Sequence, residues 1–239
     1  MKTKNLIKFT TGLLLWPLVL AAFRAFLTQL GAFTNYKGGV QYYFFGGFLS
    51  YLTFQLVFFK PMRTYVFGHE LTHALWSLMF GGRVKDFTVK ATSGKVVLTK
   101  TNFLINLAPY FFPIYTFIVV IIYIVLRSFD LDQQFFIYII IALGFTFSFH
   151  LSLLIYAFSL GQSDVKKTGR VFSLTLVALF NIIVAVLILK LMLPDIIQVI
   201  DFIRESWQSC KDIWLWIGAT LLEFKDLIFK DKDLFLWNK

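Results

Sequence analysis

The sequence contains a single cysteine, Cys210, and few charged residues, which make up 15% of the chain. One cysteine excludes both an internal disulfide framework and a metal site built from cysteines. The charged fraction is well below the roughly 25% that soluble domains carry. A soluble globular domain is therefore a poor description of this chain.

Apolar residues are abundant instead, at 58% of 239 residues, and 19% of the chain is aromatic. Several apolar runs approach the roughly 20 residues that cross a bilayer as a helix. They cover residues 6–30, 41–59, 61–80, 103–126, 135–160 and 171–193. The pattern predicts an all-α polytopic membrane protein with about six transmembrane helices.

The net charge of +10 does not require a nucleic-acid partner. Most Lys and Arg residues lie between the apolar runs or in the C-terminal tail, where membrane topology and anionic lipid headgroups account for them. We therefore predict the lipid bilayer as a partner and no nucleic acid. Counting positive charges in alternate loops puts residues 83–102 in the cytoplasm and the N-terminus outside, and including the tail reverses this orientation.

Two segments differ in composition from the apolar runs. Within residues 83–102, two stretches of alternating apolar and polar residues flank Thr92-Ser93-Gly94, which predicts a β-hairpin. Two strands alone are marginally stable in water, so the hairpin must pack against the membrane domain or pair with a partner strand. Residues 194–239 interleave acidic, basic and aromatic residues at helical spacing, which predicts an amphipathic interfacial tail of one or two helices. Its apolar positions are Ile196, Ile197, Ile200, Ile203 and Trp207, together with Trp214, Trp216 and Trp237.

The run at 61–80 contains the pentad His69-Glu70-Leu71-Thr72-His73. Positions i and i+4 share one helix face, so both histidines can bind one metal ion while Glu70 lies beside it. An ionisable glutamate in an apolar helix is costly without a function or a partner. The pentad therefore predicts a zinc site with Glu70 as the general base.

The third metal ligand has two candidates, Asp164 and His150. His150 lies near the middle of its apolar run, as the pentad does, whereas Asp164 follows the helix-breaking Gly161-Gln162-Ser163. Broken backbone is tolerated at membrane depth where it lines a hydrated cavity. Asn106 is a further candidate, either for hydrogen bonding to a substrate or as a helix cap.

The pentad and the segments after it resemble the site-2 protease family of intramembrane zinc metalloproteases. The matching pieces, in order, are Gly68 to Ala74, Gly81-Gly82-Arg83-Val84, Gly94-Lys95-Val96, Leu107-Ala108-Pro109 and Gln162-Ser163-Asp164. The resemblance implies that His69, His73 and Asp164 bind Zn²⁺ and that Glu70 is the catalytic base. It also implies a membrane-associated β-sheet that receives the substrate as an added strand.

This resemblance divides the chain into two accessory N-terminal spans (1–60), a zinc protease core (61–193) and the tail (194–239). Val96 and Val97 on the hairpin, together with Asn106 and His150, are the candidate substrate contacts. The predicted function is zinc-dependent endopeptidase cleavage of a membrane protein or peptide in or near a transmembrane segment. The expected location is the cell membrane, as a multi-pass protein whose active site opens towards the cytoplasm.

The alternative is a noncatalytic membrane protein that uses the same metal site for structure or for holding a partner. Glu70 discriminates between the two, because a structural zinc site needs no general base and has four protein ligands. The oligomeric state is not predicted.

Overall fold

The computed structural model describes residues 2–58 and 60–236, so Trp237 of the predicted tail lies outside the described residues. The chain is mostly helical, with one small sheet, as the composition predicts. The helices, in chain order, are α1 (Lys2–Leu14), α2 (Trp16–Thr34), α3 (Val40–Val57), α4 (Met62–Met79), α5 (Phe103–Phe111), α6 (Ile114–Ser128), α7 (Asp132–Leu160), α8 (Ser163–Thr168), α9 (Arg170–Met192) and α10 (Val199–Leu236). The two strands are β1 (Val84–Val89) and β2 (Gly94–Leu98), between α4 and α5.

Three helical stretches within the described residues are long and apolar enough to cross a membrane. They are Asn5–Thr34, which combines most of α1 with α2, Asp132–Leu160 and Arg170–Met192, and the bent pair of α5 and α6 makes a fourth if it counts as one span. The outer face of α6 exposes large apolar side chains, as expected for contact with lipid. These are Ile118, Ile121, Ile122, Ile124 and Val125.

The prediction of six spans is not confirmed, because α3 and α4 do not belong to this set. Gln41 and Gln55 lower the apolar character of α3, and the pentad does the same in α4. The two ends of α4 also lie near the same end of the helix bundle. Lys60, just before α4, stacks on Tyr156 near the end of α7, while Ser77 donates a hydrogen bond to the backbone of Lys100.

The first helix begins at this same end of the bundle. Lys8 donates a hydrogen bond to the carbonyl oxygen of Lys167 at 3.3 Å, and Gly12 packs against the backbone of Phe172 at the start of α9. The N-terminus and the loop after α7 therefore lie on one side of the bundle. The charge count placed them on opposite sides because it assumed that α4 crosses the membrane.

The predicted span at 103–126 is broken. The axes of α5 and α6 differ by 73°, and the break falls at Phe112-Pro113. Proline has no N–H and forces the residue before it towards extended backbone, and Phe112 accordingly has φ −104° and ψ 98°. The bend turns α5 towards α4, with which it packs.

Helices α3 and α7 pack closely against each other. A Cβ on Gly47 would lie 2.0 Å from the carbonyl oxygen of Ile141, and one on Gly144 would lie 2.0 Å from that of Phe44. Glycine at both positions lets the two backbones approach directly. Gly46, the neighbour of Gly47, has open space around it.

The predicted β-hairpin is confirmed, and both of its strands pack against α4. The strands are antiparallel, with an irregularity between Val84 and Asp86. Lys90 N–H donates to the Ser93 carbonyl at 2.8 Å, so Ser93 belongs to the hydrogen-bonded positions of the ladder. Because these positions alternate, the backbone groups of Gly94 and Val96 point away from β1.

The tail forms one continuous helix, α10, in its described part, and it packs along α2. Its buried face carries Phe202, Ser206 and Cys210, four residues apart. Of the predicted apolar positions, Ile197 is fully buried just before α10, whereas Ile200, Ile203 and Trp207 are exposed. The helix is therefore apolar on two faces, and its position at the membrane interface stays a prediction.

Candidate metal centre

Two histidines lie next to each other on one face of α4. His69 and His73 are one helical turn apart, with ring centroids separated by 4.8 Å. Both side chains are largely buried, with a relative exposure of 10% each. The i and i+4 spacing of the pentad therefore produces the geometry expected from it.

Asp164 reaches these histidines from a distant part of the sequence. Gly161 ends α7 with φ 63°, a left-handed conformation that glycine adopts without strain. The chain then turns into the short α8, whose first turn carries Asp164. The Oδ2 atom of Asp164 lies 3.7 Å from Nε2 of His69 and 3.6 Å from Nε2 of His73.

The spacing of these three groups fits a metal ion. Their ligand atoms lie within 4.8 Å of one another, whereas tetrahedral zinc with ligand bonds of about 2.1 Å separates its ligand atoms by roughly 3.4 Å. A small shift of the three side chains towards one another would bring their ligand atoms to the distances at which they bind one metal ion. Three protein ligands also leave a coordination position open, as in catalytic rather than structural sites.

The tautomer of His73 is fixed by its second nitrogen. Nδ1 lies 2.8 Å from the carbonyl oxygen of Ile105, so Nδ1–H donates and Nε2 keeps its lone pair for a metal. Ile105 is itself held by a hydrogen bond, because its backbone N–H donates to the Asn102 side chain at 2.8 Å. Asn102, the N-cap of α5, therefore positions the carbonyl that orients His73.

Asp164 has a hydrogen-bonded carboxylate. Burial alone would raise the pKa of this carboxyl, but the adjacent His69 and His73 rings hold its pKa below the ordinary value. Tyr110 adds a long hydrogen bond from its hydroxyl to Oδ2, at 3.5 Å. A lowered pKa favours the carboxylate form, which is the form that binds cations.

Glu70 lies beside the three ligands and against the hairpin. A Cβ on Gly94 would lie 2.5 Å from Cγ of Glu70 and 2.7 Å from Cγ1 of Val66. The Glu70 carboxyl also faces the backbone N–H of Val96, one of the groups that point away from β1. The hairpin therefore fixes where the glutamate sits relative to the metal ligands.

The ligands and Glu70 open into a cavity of about 410 Å³. Its walls come from α4, β2, the start of α5 and the segment around α8. Besides the metal ligands and Glu70, its polar lining includes Thr92, Ser93, Lys95, Asn106, Gln162 and Lys167. The free edge of β2 forms one side of this cavity, because Gly94, Val96 and Leu98 all line it.

The structure separates the two candidates for the third ligand. Asp164 joins the pair of histidines, whereas His150 lies against Asn181, with Nε2 3.1 Å from Oδ1. Among the hairpin candidates, Val96 lines the cavity and Val97 pairs with Asp86 in the ladder. Asn106 also lines the cavity, and it is Asn102 that caps α5.

Sequence reasoning missed Tyr110 and the Asn102 cap, and it placed Gly94 in the hairpin without its contact with Glu70. Asn102 could have been found, because an Asn before an apolar run is a common start signal for a helix. Tyr110 carries no such signal, since its role depends on a contact with α8, and the contact of Gly94 with Glu70 depends on how the hairpin packs on α4. Comparison with protein-family models, with curated proteins and with solved structures finds no match for this chain.

Proposed function

We propose that this protein is an intramembrane zinc-dependent endopeptidase that hydrolyses a peptide bond in or near a transmembrane segment of a membrane protein. One observation carries the proposal: His69, His73 and Asp164 converge at metal-ligand spacing, with Glu70 beside them in an open cavity. A purely structural metal site would have no use for the glutamate or for the open position.

The proposed reaction uses the ligands and the glutamate in different roles. A bound zinc ion would supply Lewis acidity, polarising the scissile carbonyl and lowering the pKa of the attacking water. Glu70 takes a proton from this water as the C–O bond forms, and it delivers the proton to the amine nitrogen as the C–N bond breaks. Asn106, which lines the same cavity, is placed to hydrogen-bond the substrate backbone.

The free edge of β2 supports a binding mode for the substrate. Within the described residues the sheet has two strands, so the outward backbone groups of Gly94 and Val96 have no strand partner. An extended peptide can pair with such an edge and present its backbone to the metal ligands. Transmembrane helices must unwind to be cleaved, and this edge offers hydrogen bonds to the unwound segment.

The contacts between the helices favour a multi-pass topology with five crossings: α1 with α2, α3, α5 with α6, α7, and α9. The end of the bundle that holds the cavity is rich in basic residues, which puts it in the cytoplasm if the protein lies in the cell membrane. These residues are Lys8, Arg83, Lys90, Lys95, Lys100, Lys166, Lys167 and Arg170. In a Cys210→Ser background, single cysteines at positions 8 and 37 should be labelled from opposite sides; labelling from one side would contradict this topology.

The function is tested with Glu70→Gln, which keeps the size of the side chain and removes its basicity. Wild type and variant are purified in detergent and bound zinc is measured by elemental analysis; both should hold about one ion per chain. Each is then placed in vesicles with membrane proteins of the expression host, and new N-termini are mapped by mass spectrometry. Cleavage should fall by about 10²–10⁴-fold in the variant.

Equal zinc in both proteins, without any new N-termini that depend on Glu70, would support the noncatalytic alternative. Failure of the wild type to bind zinc would contradict the metal site itself.

The substrate edge is tested by a matched pair of prolines. Val96→Pro removes an N–H from the free edge of β2 beside Glu70, whereas Val89→Pro removes one from the outer edge of β1. Neither N–H belongs to the hydrogen-bonded positions of the ladder. Val96→Pro should abolish cleavage and keep zinc, while Val89→Pro should retain cleavage. Equal activity of the two variants would contradict this binding mode.

A further inference from the structure

A second, smaller cavity also borders His69. Its volume is about 30 Å³, and it lies where α4, α7 and the break between α5 and α6 meet. Phe112 and Pro113 of the break form part of its wall, together with Thr146 and His150 of α7. Broken backbone within the apolar part of a membrane protein is tolerated where it borders protein or water.

The hydrogen bonds of Asn181 fix the tautomer of His150. The Asn181 amide nitrogen donates to the carbonyl oxygens of Tyr110 at 2.9 Å and Val177 at 2.8 Å. Its Oδ1 is therefore the acceptor that faces His150, at 3.1 Å from Nε2. A neutral histidine that donates from Nε2 carries a lone pair on Nδ1. His150 thus has a free acceptor nitrogen.

His69 presents the complementary group. Its Nε2 faces Asp164 and the metal position, so when a metal ion binds there Nε2 is its ligand and a neutral ring carries its proton on Nδ1. This Nδ1 is buried and has no hydrogen-bond partner among the described residues. A metal-binding histidine normally donates this N–H to a carboxylate, a carbonyl or a water, which fixes the orientation of the ring. His73 has such a partner in Ile105, whereas His69 needs one.

We propose that a water molecule in the smaller cavity accepts a hydrogen bond from Nδ1–H of His69 and donates one to Nδ1 of His150. His150 and Asn181 then form a positioning chain for a metal ligand: Tyr110 carbonyl, Asn181, His150, water and His69. The inference rests on the metal-binding part of the proposed function. It gives a role to the one histidine that neither binds the metal nor contacts the larger cavity.

The size and the lining of the cavity suit one water. A single water needs roughly 10–15 Å³ of cavity volume and two or more polar partners. The smaller cavity has a volume of about 30 Å³. The donor on His69 and the acceptor on His150 are two such partners, and both histidines line the cavity. A direct hydrogen bond between the two rings is not present in the described structure.

The first test compares His150→Phe with His150→Gln. Phenylalanine removes the acceptor, whereas glutamine can keep one, with its amide nitrogen on Asn181 and its oxygen towards the water. Zinc affinity is measured by competition with a chelator of known affinity. We expect His150→Phe to bind zinc about 10–100-fold more weakly than wild type, as for other partners of metal-binding histidines, and His150→Gln to recover most of this loss.

Unchanged affinity in His150→Phe would overturn the proposal, as would an equal loss in both variants. Thermal unfolding without metal, followed by circular dichroism, shows that each variant is folded.

The second test observes the nitrogens directly. The chain has three histidines, so ¹⁵N-histidine solid-state NMR of the protein in lipid vesicles gives three pairs of ring signals, and His150→Gln identifies one pair. In the zinc-bound protein we expect His150 to be protonated on Nε2, and His69 on Nδ1 with a cross-peak to water. A proton on Nδ1 of His150, or no water contact at His69, would overturn the proposal.

The spectra can be recorded with and without zinc. If wild type binds no zinc, the proposed protease function fails, whereas the tautomer and water contact of His150 are still measured in the metal-free protein.

Discussion

Two regions of the protein are built in opposite ways. One is the contact between α3 and α7, and the other is the cavity lined by His69, His73 and Asp164. Gly47 and Gly144 let two helix backbones touch, and the surrounding contacts include aromatic pairs between the helices, such as Tyr51 on Phe145. The cavity instead gathers polar groups from α4, β2 and α8, which are far apart in sequence. The contact between α3 and α7 stabilises the packing of the helices, whereas the cavity can form only once the elements that carry its residues are packed. Substitutions in the two regions should therefore have separable effects.

Asp164→Ala should have the largest effect on the cavity and little effect on the fold. Loss of a direct ligand should weaken zinc binding by more than about 100-fold, because loss of an indirect partner already costs about 10–100-fold. Zinc affinity is measured by chelator competition, with thermal unfolding of the metal-free protein as the control. Asp164→Asn keeps the shape of the side chain and should bind zinc between wild type and Asp164→Ala. Full zinc affinity in Asp164→Ala would show that another group completes the site.

Gly47→Ala should have the opposite effect. The new Cβ would meet the carbonyl oxygen of Ile141 at 2.0 Å, so α3 and α7 must separate, at a cost of about 1–3 kcal/mol, typical of overpacking. The melting temperature in detergent should fall, and zinc should still bind to the protein that remains folded.

Gly46→Ala is the matched control for Gly47→Ala, because the space around Gly46 is open. It should raise stability by up to about 1 kcal/mol through better helix propensity. A similar decrease in melting temperature for both variants would contradict the close contact between the two backbones.

Tyr110→Phe should have the smallest effect. It removes a hydroxyl that lies 3.5 Å from Oδ2 of Asp164, at the long limit of a hydrogen bond. We expect zinc affinity to fall by less than about 10-fold, with the melting temperature of the metal-free protein unchanged. A loss as large as that of Asp164→Ala would mean that Tyr110 itself takes part in binding the metal. Phenylalanine keeps the ring contact with His69, so the difference reports on the hydroxyl alone.

The sequence predicted those features that depend on local spacing. The pentad gave the positions of His69, His73 and Glu70, because a four-residue interval has a fixed meaning in a helix. The hairpin around Thr92-Ser93-Gly94 was also predicted, from the alternation of apolar and polar residues on both sides of a turn that contains glycine. Gly161 and its neighbours indicated the chain break that carries Asp164.

Features that depend on the arrangement of the helices could not be predicted from the sequence. The count of spans missed the proline break at Pro113 and assumed that α4 crosses the bundle. The apolar stripe of Ile200, Ile203 and Trp207 was correctly identified as periodic, but the face that packs on α2 is the one with Phe202, Ser206 and Cys210. Periodicity finds an apolar face, and it does not tell which of two faces meets the protein.

The position of α4 has a consequence for which peptide bonds the proposed protease could cleave. Both ends of this helix lie near the end of the bundle that holds Lys167, so in the proposed topology the three candidate ligands would lie in one leaflet of the bilayer. A peptide bond deep in the opposite leaflet cannot reach them unless the substrate slides or bends by several residues. Cleavage by the proposed protease should therefore leave two membrane-embedded substrate fragments of unequal length. The shorter one should lie on the side of the membrane that holds the N-terminus of this protein.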